Sequence, residues 1–403
     1  MGDVVGARAY QAGRAKRNAG VIARGNTLTI RLREPSTTLP ARLAGGVFCA
    51  VPQNTPIKVA GVEQIPTAGP YYFASYAPKR RLVLRRNPNY GGTRPARFRA
   101  IDVDLDVTEA AAEAAVLTGR ADYATAPPAG RLAALDRRYG ADSAAARTGH
   151  QRYFSGPTPN LQFFVFNKRR PLFARRSARL AASAALDRAA IAASMPYPSI
   201  VGAPGRATDQ FVPYGLPGFR DVAVHPLGGA DPATLERLSG GCARRAVLYT
   251  CNYPPCLQQG RVARRNLAAI GIDLEVKAFS FAEHFKRLGT SGEPWDLGYF
   301  GWIPGYADGM DYISSFFAPS VSGMSLPGSV PDAALERRIR AATRLDDASR
   351  ARAIARIDAD LARSAAAVPV ATTATTDFFS DRIGCQVHQP IYGISLGALC
   401  VRR

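Results

Sequence analysis

The sequence predicts an α/β fold, and three observations carry that prediction. Strand-like and helix-like patterns alternate along the chain instead of segregating. Residues 246–278 read strand, helix, strand, with Gly271 stopping the helix; this is a βαβ unit and implies two parallel strands. Hydrophobic residues make up 47% of the 403 residues, enough for a sizeable core.

The elements follow in order. Residues 1–24 predict a short polar helix with no clear apolar face. Thr27–Leu32 alternates and predicts a half-buried strand. Pro40–Phe48 predicts a short helix. Gly69-Pro70 turns into a strand at Tyr71, Arg81–Arg85 alternates again, and the Pro88, Gly91 and Gly92 breakers make residues 87–92 a loop. Ala100–Val107 is a period-two strand, and Glu109–Leu117 is a helix that ends at Gly119. Leu161–Phe166 is a short apolar run suited to a buried strand. Arg176–Ser194 is Ala-rich and predicts one helix. Ala246–Thr250 is a strand. Cys256–Ile270 is a helix with Ala263, Leu267 and Ile270 on one face. Ile272–Ala278 and Phe281–Leu288 are the next strand and helix. Asp296–Trp302 is a strand ending in aromatics. Asp332–Arg344 and Asp347–Ser364 are helices, the second capped at Asp346-Asp347. Val368–Ala371 and Phe378–Phe379 are closing strand pieces.

The formal charge of +21 invites a polyanion-binding reading: nucleic acid, acidic polymer or anionic lipid. The positive residues are almost all Arg, however, and Arg8, Arg14, Arg24, Arg81, Arg176, Arg244, Arg264 and Arg338 fall in unrelated segments. A nucleic-acid binder concentrates its cations in a stripe on a recognisable module. Solvated surface charge is the preferred reading, and no nucleic-acid partner is expected. No run of apolar residues is long enough for a membrane-spanning helix.

Six cysteines occur: Cys49, Cys242, Cys251, Cys256, Cys385 and Cys400. The Asn-Tyr-Pro-Pro between Cys251 and Cys256 can turn the chain back and bring the two sulfurs together, and Cys385 and Cys400 bracket the last segment. An even count with local pairs fits an oxidising compartment. Free buried cysteines are the alternative. The spacing is wrong for structural zinc, and His150, His225, His284 and His388 form no H-x3-5-H pair, so no metal or other cofactor is expected. The start, Met-Gly-Asp-Val-Val-Gly-Ala-Arg, has no apolar signal-peptide core, at odds with the cysteines; a chain that has lost its true start would reconcile the two.

No catalytic constellation emerges, and no enzyme activity is expected. Gly393-Ile394-Ser395-Leu396-Gly397 matches a nucleophile elbow, but no acid or His follows it. The cluster that stands out is Tyr299-Phe300-Gly301-Trp302-Ile303-Pro304-Gly305-Tyr306-Ala307-Asp308. Aromatic faces with one carboxylate at a strand end suit a partly apolar solute carrying an amine or polar head. Composition fits equally well a second reading, with Phe300 and Trp302 in the core and Asp308 forming a turn.

Seven segments in order resemble extracellular solute-binding protein family 5, the dipeptide/oligopeptide/nickel class that feeds ABC importers. Pro66-Thr67-Ala68-Gly69-Pro70-Tyr71 resembles the family's G-T-G-P-Y turn. Arg86-Asn87-Pro88-Asn89-Tyr90 with Gly91-Gly92 resembles R-N-P-x-Y-W-G-G without its Trp. Leu117–Asp122 resembles L-x-x-G-x-x-D. Phe166-Asn167 through Pro171-Leu172-Phe173, and then Arg179, Ala181 and Ala185-Leu186-Asp187-Arg188, resemble its central block. Leu267, Ile270-Gly271-Ile272 and Gly301-Trp302 with Tyr306 and Asp308 resemble L-x-x-i-G-I and G-W-x-x-D-Y-x-D.

The resemblance implies a two-lobed, type II periplasmic-binding-protein-like fold (cluster C) with a discontinuous first lobe. Residues 1–163 and 371–403 would form lobe I, with 1–60 the tail of its small subdomain, and 164–370 lobe II. Phe166, Asn167, Val370 and Ala371 would serve as hinge. The solute would sit between the lobes against Phe300, Trp302, Gly305, Tyr306 and Asp308, with Trp302 and Tyr306 stacking on it and Asp308 binding a cationic or hydroxyl group. The implied protein is an extracytoplasmic monomer, periplasmic or cell-surface and lipid-anchored in its full-length form, that hands a peptide or other small solute to ABC permease subunits. Two departures stand against the pattern. Peptide-binding members place an Asp three residues after Gly-Trp for the peptide's α-amino group, and Gly305 stands there in this chain. The family's opening part is also absent. The alternatives are a polyanion-binding protein and a non-functional truncated fragment.

Overall fold

The strand–helix–strand pattern at 246–278 folds as its periodicity requires. Arg244–Cys251 and Ile272–Phe279 lie parallel, in register from Arg244↔Ile272 to Cys251↔Phe279, with the helix Pro254–Ala268 between them in sequence. That helix buries Val262, Ala263 and Leu267, and a β-carbon at Gly260 would come within 3.1 Å of Val276, so close packing of helix on strand favours glycine there. The computed structural model describes residues 2–56, 65–194, 205–239, 244–389 and 391–402.

The chain divides into two units. Met1–Leu43, Pro159–Met195 and Pro204–Thr373 form the first; Ala44–Thr158, Pro196–Ala203 and Ala374–Arg403 form the second. The long strands Tyr153–Phe166 and Val368–Phe379 each run from one unit into the other, changing at 158/159 and 373/374. The boundaries expected from sequence were 163/164 and 370/371. Phe166, Asn167, Val370 and Ala371 all lie on the first-unit side, buried, and Asn167 donates from its side chain to the Trp295 carbonyl at 3.0 Å.

In the first unit, Leu297–Trp302 pairs antiparallel with Leu161–Phe166, from Leu297↔Phe166 to Trp302↔Leu161, and parallel with Leu248 and Tyr249. Helices Gly309–Phe317, Ala333–Ala342 and Asp347–Arg363 supply Ile313, Phe316, Ile339, Ile354 and Ile357 to one core with Leu161, Phe163, Val165 and Trp295. Residues 1–43 belong to this unit, where the sequence reading had placed them in the other lobe. Contacts distant in sequence hold them: Glu34 takes Arg344 at 3.0 Å and also Arg340, Thr37 donates to the Leu345 carbonyl at 2.9 Å, and Arg8 donates to the Ser320 carbonyl at 2.9 Å.

In the second unit, Tyr71–Ala77, Arg81–Arg86 and Ala100–Asp104 form an antiparallel sheet. Helix Glu109–Leu117 is capped by Thr108 and packs Val116 with Leu135, Ala124, Tyr153 and Phe378.

Several elements differ from their sequence prediction: the helix expected over 40–48 is a helix Leu39–Leu43 and a 3-10 turn Gly46–Phe48, and the strand expected over 161–166 begins at Tyr153. The helix expected over 1–24 is confined to Ala7–Gln11, because Val21–Arg24 turns at Gly25 (φ 53°) to pair with Thr27–Ile30. The single helix expected over 176–194 is two, Arg176–Ala185 and Arg188–Ala193; Leu186 is extended, and Asp187 caps the second by accepting from Ala190 N at 2.8 Å. The two closing strand pieces are one strand, Val368–Phe379.

Both cysteine pairs suggested by the sequence are disulfides: Cys251–Cys256, with Cα atoms 5.5 Å apart, and Cys385–Cys400, at 5.4 Å. Cys49 is exposed and free, and Cys242 lies outside the described residues. Cys385–Cys400 closes a loop of sequence separation 15 beside the short ladder Ile383↔Val401 and Gly384↔Cys400. Replacing both cysteines by serine should cost about 3 kcal/mol by the loop-entropy relation. Guanidinium unfolding of the oxidised wild type and the double variant checks this, and equal midpoints would show that the bridge adds nothing. No helix among the described residues is long and apolar enough to cross a membrane.

Candidate functional site

Strand pairing places the aromatic cluster. With Trp302 opposite Leu161 and Phe300 opposite Phe163, Leu297–Trp302 presents Phe300 to Phe163 (ring centroids 5.2 Å) and Phe285 (5.3 Å), and Trp302 to the edge of Phe316 (5.2 Å). Both rings are only partly buried. Pro304 lacks an N–H and ends the strand. The chain then loops to Asp308, whose side chain accepts from Met310 N at 2.8 Å and starts the helix Gly309–Phe317. Gly309 is required by close approach: its N–H meets the Pro217 carbonyl at 3.1 Å, and a β-carbon would sit 2.7 Å from that oxygen.

The Asp308 carboxylate is engaged inside the unit. Besides the helix cap, it holds Arg350 through Nη2 at 2.9 Å and Nε at 3.3 Å, and both side chains are buried. Arg350 reaches on to Asp347 at 2.8 Å and to Thr37. Tyr306 is buried as well; burial first, then the nearby Asp311 and Asp308 charges, push its phenol above the ordinary range. Of the five residues expected at a solute wall, Phe300, Trp302 and Gly305 therefore reach the surface, while Tyr306 and Asp308 lie beneath it.

One residue that the sequence reading passed over joins them. Asp311, in the first turn of the helix, accepts from Trp302 Nε1 at 2.8 Å and from Gly305 N at 3.1 Å, both at Oδ2. Its side chain is buried, and desolvation pushes its carboxyl up to about 6, partly offset by those two donors and reinforced by the Asp308 charge. The sequence analysis predicts no helix here, and nothing in the local pattern marks Asp311. Only the return of the loop over the helix brings it to Trp302.

The described residues contain no cluster of three or more His, Cys, Asp or Glu able to hold a metal. Ser395 precedes a short 3-10 turn, Leu396–Ala398, and not the helix a nucleophile elbow needs. A cleft lined by Asp3, Arg8, Arg33, Glu34, Ser320 and Arg340 has its charges bonded internally: Asp3 to Arg42, Glu34 to Arg340, and Arg8 and Arg33 to backbone carbonyls.

The model of the bacterial extracellular solute-binding proteins, family 5 Middle, matches residues 8–324. No curated protein matches the chain. Among solved structures, clavulanic acid biosynthesis oligopeptide binding protein 2 is similar with a TM-score of 0.81 at 19% identity, covering 98% of this chain and 74% of that one. The Escherichia coli murein tripeptide binding protein MppA gives 0.74 at 15%, over 99% and 78%. The periplasmic binding protein DppA from Helicobacter pylori, solved with the peptide STSA, gives 0.69 at 14%, over 96% and 74%. At these identities the likeness shows a shared fold, the two-lobed type II binding-protein architecture.

Proposed function

Because this chain belongs to the bacterial extracellular solute-binding proteins of family 5, we propose that it is the solute-capturing component of an ABC importer. It works outside the cytoplasmic membrane, takes up a peptide or peptide-like solute, and delivers it to permease subunits as a monomer. The family match over residues 8–324 carries this reading. Similar folds in proteins named for oligopeptides and murein tripeptide support the choice of solute class.

In this reading the two units are lobes that close on the solute through Tyr153–Phe166 and Val368–Phe379, the strands common to both. A pair of strands lets domains rotate with few backbone dihedral changes. Phe300 and Trp302 give the solute an apolar wall.

Isothermal titration with pools of two- to five-residue peptides, paired with small-angle scattering, tests the proposal. Saturable binding with a fall in radius of gyration is the expected result. Peptide binding without compaction overturns closure, and no saturable binding overturns the peptide assignment.

A further inference from the structure

A cleft inside the first unit gathers more positive charge than its own carboxylates neutralise. One wall comes from residues 3–36 and the other from Ser320, Val321, Arg340 and Thr343, with about 180 Å³ between them. Backbone contacts set the walls. Arg33 N donates to the Asp3 carbonyl at 2.8 Å, and a β-carbon at Gly2 would lie 3.2 Å from Gly323 N. Arg8, Arg33 and Arg340, carried by three separate segments, are thereby brought to one space.

The nearby carboxylates are already engaged. Asp3 takes Arg42 in two bonds, at 2.7 and 2.9 Å. Glu34 is shared by Arg340 and Arg344, and Glu336 accepts from Ser320 N at 2.7 Å. Arg8 and Arg33 have no carboxylate partner among the described residues. Arg8 donates to the Pro319 and Ser320 carbonyls and Arg33 to the Gly2 carbonyl. Those carbonyls satisfy N–H groups and neutralise nothing. Counted with their partners, Arg8, Arg33, Arg42, Arg340 and Arg344 outnumber Asp3, Glu34 and Glu336 by two. Like charges held together repel, and an anion among them removes that cost. The Ser320 hydroxyl in the same wall is buried and makes no hydrogen bond, so it adds a donor that an anion's oxygen can use.

We propose that this cleft binds a phosphate-type dianion, either inorganic phosphate or a small phosphomonoester. Such a group carries about −1.5 to −2 charge near pH 7 and three acceptor oxygens, which matches the surplus of two; a carboxylate matches half of it. Guanidinium forks fit phosphate oxygens two at a time. The volume suffices, since a cavity of about 150 Å³ admits a benzene-sized guest. A dianion seated there joins residues 3–36 to the 320–343 wall, so it also stabilises the first unit by mass action. The inference does not depend on the solute-binding reading, because the loop after Trp302 contributes nothing to this lining.

Calorimetric titration of the whole chain tests the inference, with inorganic phosphate, phenyl phosphate and benzoate as probes. Ionic strength is held constant with chloride, so that general screening does not vary. The wild type should bind at least one phosphate saturably, one per chain, and benzoate tenfold or more weaker; the bound phosphate should raise Tm. Tighter binding of phenyl phosphate identifies an ester as the ligand, and equal or tighter binding of inorganic phosphate identifies the free ion. Arg8→Gln and Arg33→Gln keep an N–H for the backbone carbonyls but lose the charge, and each should weaken phosphate binding tenfold or more. Arg14→Gln, exposed and outside the cleft, should leave it unchanged. Melts without added phosphate verify that the variants fold, and the wild-type comparison of phosphate with benzoate decides the matter if one does not. No saturable phosphate binding by the wild type, benzoate as tight as the phosphates, or an equal loss in Arg14→Gln would overturn the inference.

Discussion

Replacing Arg350 with alanine is expected to cost about 3–5 kcal/mol, the range for leaving one member of a buried ion pair alone. The pair is Asp308–Arg350 at 2.9 Å, with side-chain exposures of 7% and 6%. Removing the guanidinium leaves the Asp308 carboxylate with the Met310 N–H at the helix start, and takes away the bonds to Asp347, Thr37 and the Leu345 carbonyl. Urea unfolding of the wild type and the variant measures the loss. The double variant Asp308→Asn/Arg350→Met should recover most of the loss, because a neutral pair carries no desolvation penalty. A deficit under about 1 kcal/mol in Arg350→Ala would place the pair in the weak class of exposed salt bridges.

Trp302→Ala should reduce solute affinity on the order of 100-fold, the scale of a central aromatic anchor. In the proposed site the half-buried ring would face the solute, and its N–H holds Asp311 Oδ2 at 2.8 Å, so alanine would remove both a contact surface and the group that fixes the carboxylate. Trp302→Phe separates the two: it restores an aromatic face without the donor and should recover part of the affinity. Trp295 is fully buried and remains as a fluorophore, so a near-native emission spectrum in Trp302→Ala verifies the fold, while the solute-induced change should vanish. Unchanged affinity in the alanine variant would move the site away from this loop.

The parts of the fold that were legible in sequence are those governed by local periodicity. The parallel pair around Pro254–Ala268 and the alternating Ala100–Asp104 strand follow from residue spacing alone. So does the Asp346 cap, which accepts from Ser349 N at 2.9 Å. The first half of Tyr153–Phe166 was hidden because Gly156, Pro157 and Pro159 read as breakers, whereas Phe163, Phe164, Val165 and Phe166 are an apolar run. The grouping of residues 1–43 depends on ion pairs such as Glu34–Arg344, which join residues far apart in sequence and leave no local signal.

The site divides in the same way. Trp302 was visible as an aromatic at a strand end. Asp308 was visible as a carboxylate, but its partner Arg350 is 42 residues away, and no spacing rule links them. Asp311 carried no signal in the sequence, because the helix Gly309–Phe317 that holds it was not predicted.

The interleaving of the two units has a kinetic meaning. The second unit draws on residues 44–158 and on 374–403, so a ribosome-bound chain that has emitted its first half still lacks the strand partner for Tyr123–Thr125, which is supplied by Asp377–Phe379. Such distant pairings raise contact order and slow folding. They also leave Tyr123–Thr125 without its mate until synthesis is nearly complete. A chain built this way stays open late, and a holdase that binds extended polypeptide has its longest opportunity on the segment between residues 44 and 158.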